Sequence, residues 1–183
     1  MKTRVALSLL GLLAFTGCAV PSAPAALYVV ASLEPTRGHT ASGTVWFERD
    51  GSQVIVRGEV RGLAPNGEHG FHVHDKGDCS SGDGMSAGGH FNPTSQPHGP
   101  QGSPHHAGDL PSIVADASGV ARFSVRTSGA VLTGGRDDLA GKGLVVHAKP
   151  DDYTTQPTGN SGDRIACGVI STVAGRDASG RER

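Results

Sequence analysis

The chain has 183 residues and a formal net charge of −1, with 16 basic residues (Lys and Arg) against 17 acidic ones. This length is enough for one domain with a hydrophobic core, and the charge balance gives no support for nucleic-acid binding, so we expect no nucleic-acid partner. The 28 glycines and the aromatic content of only 4% are typical of short strands joined by many turns.

Residues 1–17 have the layout of a secretory signal. Lys2 and Arg4 precede an apolar run over residues 5–15, which is too short to span a membrane. The run ends in Leu-Ala-Phe-Thr-Gly-Cys, which resembles the lipobox of bacterial lipoproteins, where the cysteine is lipidated and becomes the first mature residue. Ordinary cleavage after Ala25 is the alternative. We favour lipidation of Cys18, which predicts export to the periplasm or cell envelope and membrane attachment only through this lipid.

The cysteine count agrees with that interpretation. An exported protein with three cysteines leaves one over. If Cys18 carries the lipid, Cys79 and Cys167 remain as a pair, and in an oxidising compartment we expect them to form a disulfide. Two free buried thiols are the alternative.

We predict a lipidated tether at residues 18–26, a single domain over residues 27–172 and a polar C-terminal tail at residues 173–183. No stretch of 10–12 residues has helical periodicity. Asp50 and Gly51 predict the turn of a hairpin. The pattern favours an all-β antiparallel sandwich or barrel, with strands at residues 27–33, 43–49, 53–60, 70–74, 112–116, 120–125, 144–147 and 164–170.

Histidine is concentrated between residues 67 and 109, which hold seven of the nine histidines. From Asp75 to about Pro111 the chain has almost no apolar periodicity, so this long loop needs another ordering agent, and bound metal is the one its composition favours. Imidazole with an occasional carboxylate suits zinc and copper.

The positions of these side chains predict two metal sites. In a strand, His72 and His74 point to one face while Phe71 and Val73 point to the other. Seven groups are candidate ligands, whereas two four-coordinate metals need eight, so one shared ligand would complete both sites. The seven candidates are His72, His74, His90, His98, His106, Asp109 and His147.

Several motifs together resemble copper/zinc superoxide dismutase in its secreted bacterial form. They are Gly-Phe-His-Val-His at 70–74, Ser-Ala-Gly-Gly-His-Phe-Asn-Pro at 86–93, His-Ala-Gly-Asp-Leu at 106–110, Leu-Val-Val-His at 144–147 and the segment 159–170. The resemblance runs from about Leu27 to Ile170. It implies an eight-stranded antiparallel Greek-key β-barrel, an immunoglobulin-like sandwich with a long metal-binding loop and a short electrostatic loop; this enzyme is itself a known example of the sandwich architecture.

The resemblance also implies the role of each site residue. Copper would bind His72, His74, His90 and His147. Zinc would bind His90, His98, His106 and Asp109, with His90 as the bridge. Asp151 would link a copper histidine to a zinc histidine, Arg164 would bind the anion beside the copper, and Cys79 and Cys167 would form the family's disulfide. Among the other histidines, His69 matches a structural residue, while His39 and His105 are expected on the surface.

The implied reaction is the dismutation of superoxide to dioxygen and hydrogen peroxide, an antioxidant activity in which copper alternates between Cu(II) and Cu(I). In the family, the bridging histidine, here His90, takes up a proton when copper is reduced and delivers it to peroxide, which makes His90 and Arg164 the catalytic residues. Family members are monomers or dimers, so a homodimer is left open.

Two other functions fit parts of the pattern. The first is storage or delivery of copper, which would not need an anion-binding Arg164. The second is zinc-dependent hydrolysis, which is disfavoured because the motifs that carry the candidate ligands contain no glutamate to act as general base. Copper/zinc superoxide dismutase is itself a known example of electrostatic steering of a substrate. The short loop from Asp151 to Asp163 contains no lysine, so Lys76 and Lys149 are our candidates for the steering charges.

Overall fold

The computed structural model describes residues 27–132 and 134–174, and this part of the chain is built from strands and turns. Its one helical segment is a short 3-10 turn at Met85–Ala87. The strands are β1 (Leu27–Pro35), β2 (Ser42–Asp50), β3 (Gln53–Arg61), β4 (Glu68–His69), β5 (Phe71–His74), β6 (Ile113–Val114), β7 (Ala121–Thr127), β8 (Gly143–His147) and β9 (Arg164–Ala174).

Seven strands form one antiparallel sheet in the order β5-β8-β9-β1-β2-β3-β7, and β4 pairs with β6 in a separate two-stranded ladder. The sheet curls until its two edges meet. The ring of Phe71 on one edge strand lies 5.2 Å from the ring of Phe123 on the other, edge to face. The connections from β3 to β5 and from β7 to β8 cross between opposite edges, as in a Greek key. The predicted all-β antiparallel fold is confirmed.

The β2–β3 hairpin follows directly from the sequence. Asp50 pairs with Gln53 across a two-residue turn, and Gly51 has a φ of +62°, a left-handed conformation that glycine adopts without steric cost. Along β3, Val54 and Val56 are buried while the residues at the turn are exposed. The alternation places one face of each strand inside the barrel.

The core of the barrel holds the metal-binding strand in place. Phe71 and Val73 are fully buried in the same apolar cluster as residues of β1, β2 and β3. Burying each such side chain stabilises the fold by roughly 1.5–3 kcal/mol. His72 and His74, on the opposite face of β5, are also buried. The barrel wall therefore has an apolar inner side and a histidine-bearing outer side at this edge.

A disulfide joins Cys79, in the long loop after β5, to Cys167 on β9, with Cα atoms 5.8 Å apart. The predicted pairing is thus present. It attaches the loop to the strand next to β8, beside a small apolar cluster that includes Ala87 and Val145.

The predicted signal, the lipid site at Cys18, the tether and residues 175–183 of the predicted tail lie outside the described residues, whereas Val173 and Ala174, predicted as the start of the tail, belong to β9. Strand β9 continues to Ala174, beyond the predicted end at Ile170. No helix in the part of the chain that the structure describes is long and apolar enough to cross a membrane.

Candidate metal centre

The loop after β5 folds back onto that strand and brings its histidines to the strand's outer face. The Val73 amide donates to Gly108 O at 2.8 Å, and the Phe91 amide donates to Val73 O at 2.8 Å. These hydrogen bonds place His90 opposite His74 and Asp109 opposite His72. Ligands that are far apart in sequence are thus positioned by main-chain pairing.

The first ligand group consists of four buried histidines whose ligand nitrogens all lie within 4.8 Å of one another: His72, His74, His90 and His147. His147 ends β8 at an irregularity in its pairing with β9, between Val146 and His147. All four predicted copper positions therefore meet at one point.

The second nitrogen of three of these rings already has a partner. His72 Nε2 lies 2.6 Å from Asp151 Oδ2, His74 Nδ1 lies 2.8 Å from Gly88 O, and His147 Nδ1 lies 3.1 Å from the Gly162 carbonyl. These contacts orient the rings and set which nitrogen carries the proton.

Two of the nitrogens that face the centre of this group lack hydrogen-bond partners, and the other two contact only each other. His72 Nδ1 and His90 Nε2 are buried with none, and the Nε2 atoms of His74 and His147 face each other at 3.4 Å. A buried polar atom without a partner is costly, and convergent unpaired nitrogens are what a metal ion would satisfy. Four imidazoles suit copper.

The second ligand group is gathered around Asp109 Oδ1. The Nδ1 atoms of His90, His98 and His106 lie 2.8, 3.0 and 3.1 Å from this oxygen, and the ligand atoms of all four residues lie within 4.8 Å of one another. Three imidazole nitrogens and one carboxylate oxygen are a typical zinc set. His90 faces this group with Nδ1 and the first group with Nε2, so it is placed to bridge both.

The carboxylate of Asp109 is fixed from behind. Its Oδ2 accepts hydrogen bonds from the amides of Gly99 (3.1 Å) and His106 (2.9 Å), and its carbonyl accepts one from the side chain of Gln101 (2.6 Å). Oδ1 is left directed at the histidines. The position of Asp109 is therefore fixed by hydrogen bonds that do not involve Oδ1, the oxygen that faces the histidines.

Asp151 connects the two groups. One carboxylate oxygen contacts His72 Nε2 at 2.6 Å, and the other contacts His98 Nε2 at 2.9 Å and accepts the Tyr153 amide at 2.8 Å. The geometry matches the role that the resemblance implied. Gly159 approaches Asp151 so closely that a Cβ there would lie 1.8 Å from its Oδ1, at a φ of +69°.

Burial keeps three histidines of the first group, His74, His90 and His147, uncharged. It lowers the pKa of His90 to about 4 and that of His147 to about 3, and it lowers the pKa of His74 well below its usual value. A neutral imidazole offers a lone pair to a metal. Burial alone would raise the pKa of Asp109, but hydrogen bonds from three histidines hold that pKa far below its usual range, so the carboxylate is ionised.

An open cleft of about 470 Å³ leads to the first group. His74, His90 and His147 line its floor and Arg164 lines its wall. The Arg164 guanidinium donates to Gly84 O at 2.7 Å and Gly88 O at 2.6 Å, which leaves its other N–H groups for a ligand. Burial lowers the pKa of Arg164 from its usual value, but an arginine remains charged at neutral pH.

The remaining histidines differ partly from expectation. His69 is buried, and its Nδ1 contacts the carbonyl of His147 at 2.8 Å, which is a structural role. His105 is half-buried rather than exposed, because its ring contacts the carbonyls of Ser103 and Ser128. His39 is exposed as expected, but it lines the cleft.

Two residues at the site were not predicted from the sequence, and the two lysines predicted to steer the substrate do not line the cleft. Arg37 lines the cleft, whereas Lys76 and Lys149 are absent from its lining. The Gln156 side chain accepts the His98 amide and donates to the His98 carbonyl, both at 2.9 Å. No local sequence signal could have identified Arg37 or Gln156, because each reaches the site through the path of its loop.

Comparison with known proteins agrees with this geometry. The family model described as "Copper/zinc superoxide dismutase (SODC)" matches residues 41–170. The extracellular superoxide dismutase [Cu-Zn] of Caenorhabditis elegans is 45% identical over 141 residues, covering 73% of this chain and 62% of that protein, so the chain spans less than two thirds of this relative's length. The crystal structure of a double mutant of a SOD-like protein from Bacillus subtilis superposes with a TM-score of 0.71 at 34% identity, covering 78% of this chain and 96% of the other.

Proposed function

Since this chain belongs to the copper/zinc superoxide dismutase family, we propose that it converts two superoxide ions and two protons into dioxygen and hydrogen peroxide. The observation that carries the proposal is that two four-residue ligand groups share His90, and that the first of them opens through His74, His90 and His147 to a cleft that Arg164 also lines. A binding protein for metal would need the ligand groups but not the cleft with its arginine.

We propose that His72, His74, His90 and His147 hold copper and that His90, His98, His106 and Asp109 hold zinc. Copper at the first group would supply reversible one-electron chemistry, and zinc at the second would have a structural role because it has no redox chemistry. The unpaired inward nitrogens and the ionised carboxylate support this assignment.

The protein's own residues orient the substrate and handle the proton. Arg164 presents a fixed positive charge and free N–H donors beside the first group, where they can hold a small anion. His90 Nε2 faces the cleft without a hydrogen-bond partner. We propose that this atom, when it is not bound to copper, takes up a proton and passes it to the peroxide product, as a general acid within reach of the substrate.

A superoxide-consumption assay on protein loaded with copper and zinc tests the function. We expect consumption far above the spontaneous rate, and a loss of roughly tenfold or more in Arg164→Ala, because a charged donor to the substrate is removed. A fully metallated sample that contains no copper, or that leaves superoxide decaying at its spontaneous rate, would refute the proposal. Full activity in Arg164→Ala would show that Arg164 does not bind the substrate anion.

We propose further that the protein is exported and acts in the cell envelope, held there by a lipid on Cys18. The signal-like residues 1–17, the disulfide between Cys79 and Cys167, and the extracellular relative support export. Mass spectrometry of the mature N-terminus would decide between a lipidated Cys18 and cleavage after Ala25. Sedimentation velocity would distinguish a monomer from the homodimer that the resemblance also allows.

A further inference from the structure

A second guanidinium, that of Arg37, lies at the mouth of the cleft and has no role in the proposed reaction. Arg37 lies in the loop between β1 and β2 and lines the same cleft as Arg164 and the histidines of the first ligand group. Its position comes from a loop that the ligand motifs do not include.

The loop that carries Arg37 is attached to the walls of the cleft. The Arg37 amide donates to Gly82 O at 2.6 Å, and the neighbouring Thr36 hydroxyl donates to the carbonyl of Arg164 at 2.6 Å. The Thr36 amide also donates to Ile165 O at 3.2 Å. These contacts fix the main chain of Arg37 relative to Arg164, so its side chain begins at a defined place on the rim.

The guanidinium of Arg37 has no protein partner within the described residues. Six other basic side chains there form ion pairs with acids, whereas Arg37 forms none and donates no side-chain hydrogen bond. Its five N–H donors are therefore available to an anion from solution. The six paired residues are Arg57, Arg61, Arg122, Arg126, Arg136 and Lys142.

The charges around Arg37 explain why such a residue is needed. Asp83 and Asp163 line the cleft together with Arg37 and Arg164. Without Arg37, two carboxylates would face one guanidinium, and the charged side chains that line the cleft would be net negative. Removal of residues 1–17 also takes away Lys2 and Arg4, which changes the formal net charge of the chain from −1 to −3. An attractive field must then come from cations placed at the cleft itself.

We propose that Arg37 forms an outer anion-binding site at the rim of the cleft, which captures the substrate anion and passes it inward to Arg164. The inference rests on the proposed function for the identity of the anion, but the site itself would hold any small monovalent anion. Arg37 acts on capture, so it should affect kcat/KM and anion affinity and leave the metal content unchanged.

The test compares Arg37→Ala with Arg49→Ala and Arg37→Lys, each loaded with copper and zinc. Arg49 is a matched control, because it is also outside any ion pair in the described residues but lines a different groove, beside Trp46. Two quantities are measured over a range of ionic strength: kcat/KM for superoxide, and the dissociation constant of azide from its absorption change.

At about 10 mM ionic strength we expect Arg37→Ala to lower kcat/KM and to weaken azide binding by roughly two- to fivefold, and we expect these differences to disappear above about 0.5 M salt, where the charge is screened. Arg37→Lys should retain most of the effect, since it keeps the charge. Arg49→Ala should behave as the unmodified protein in both measurements.

Equal azide affinities and equal salt slopes in Arg37→Ala and Arg49→Ala would overturn this inference while leaving the proposed function intact. If the unmodified protein consumed no superoxide, the proposed function would fail, and the azide titration would still report whether Arg37 attracts anions to the cleft. Equal copper and zinc contents in the variants confirm that the comparison concerns the anion.

Discussion

Replacing Asp151 with asparagine tests whether one carboxylate holds the two metal groups together. Its two oxygens contact His72 Nε2 at 2.6 Å and His98 Nε2 at 2.9 Å, all in buried surroundings. Burial would raise the pKa of Asp151, but the hydrogen bonds from both histidines outweigh it and lower that pKa below its usual range. Asp151 is therefore an anion that accepts from one ligand of each group.

The expected loss follows from these two contacts. A hydrogen bond to a charged group contributes about 1.5–3 kcal/mol, and an amide at residue 151 would remove the charge and turn an NH2 group toward one of the two ring N–H groups. Loss of such a partner typically lowers metal affinity by about 10–100-fold. We expect Asp151→Asn to lower the affinities for both copper and zinc by roughly this factor.

Competition titrations against a chromogenic chelator, one metal at a time, measure both affinities. Asp152→Asn is the matched control, because Asp152 is the next residue, is exposed, and accepts hydrogen bonds only from Thr154 and Thr155 of its own loop. Affinities of Asp151→Asn within about twofold of the unmodified protein would refute the reasoning. A loss confined to one metal would show that Asp151 does not couple the two groups.

Three further predictions concern stability, packing and protonation. Serine at both Cys79 and Cys167 removes a link across 88 residues, so the free energy of unfolding should fall by about 4–5 kcal/mol; a loss below about 1 kcal/mol in urea titrations would contradict this. Gly159→Ala places a Cβ 1.8 Å from Asp151 Oδ1, so zinc affinity should fall by roughly tenfold or more, and unchanged zinc binding would show that the loop yields without cost. Burial would lower the pKa of His98, but two carboxylate partners raise it to about 9. At pH 7, before metal binds, the ring therefore carries a proton, and zinc affinity should rise with pH up to about 9. Calorimetry in buffers of different ionisation enthalpy should count about one proton released from this ring at pH 7 and fewer above pH 9, whereas equal counts would contradict the assignment.

The strands could be predicted from the sequence because their signals are local. Alternation of apolar residues marks β3, and a glycine at residue 51 marks its hairpin turn. The same alternation correctly placed His72 and His74 on the face opposite Phe71. The clustering of histidines identified the seven candidate ligands, and the family resemblance divided them into two sets; the structure brings each set of four together.

The rest of the site depends on contacts between segments that are distant in sequence. Arg37 reaches the cleft because β1 pairs with β9 and its loop bonds to Gly82, and neither fact has a local signature. Lys76 and Lys149 adjoin the ligand motifs in sequence but do not line the cleft. Proximity along the chain to a ligand motif therefore did not predict which cations line the cleft.

The hydrogen bonds between β5 and its loop have a consequence for electron transfer. Val73 donates to Gly108 O, Phe91 donates to Val73 O, and Gly108 donates to Phe91 O, so the backbone behind these histidines is one continuous ladder. Copper(I) and copper(II) favour different coordination shapes, whereas a paired ladder moves as a unit and only slowly. If copper bound the first group, a stiff ladder of this kind would keep the other ligands in place while His90 Nε2 binds or releases the metal, which would keep the reorganisation energy of each electron step small.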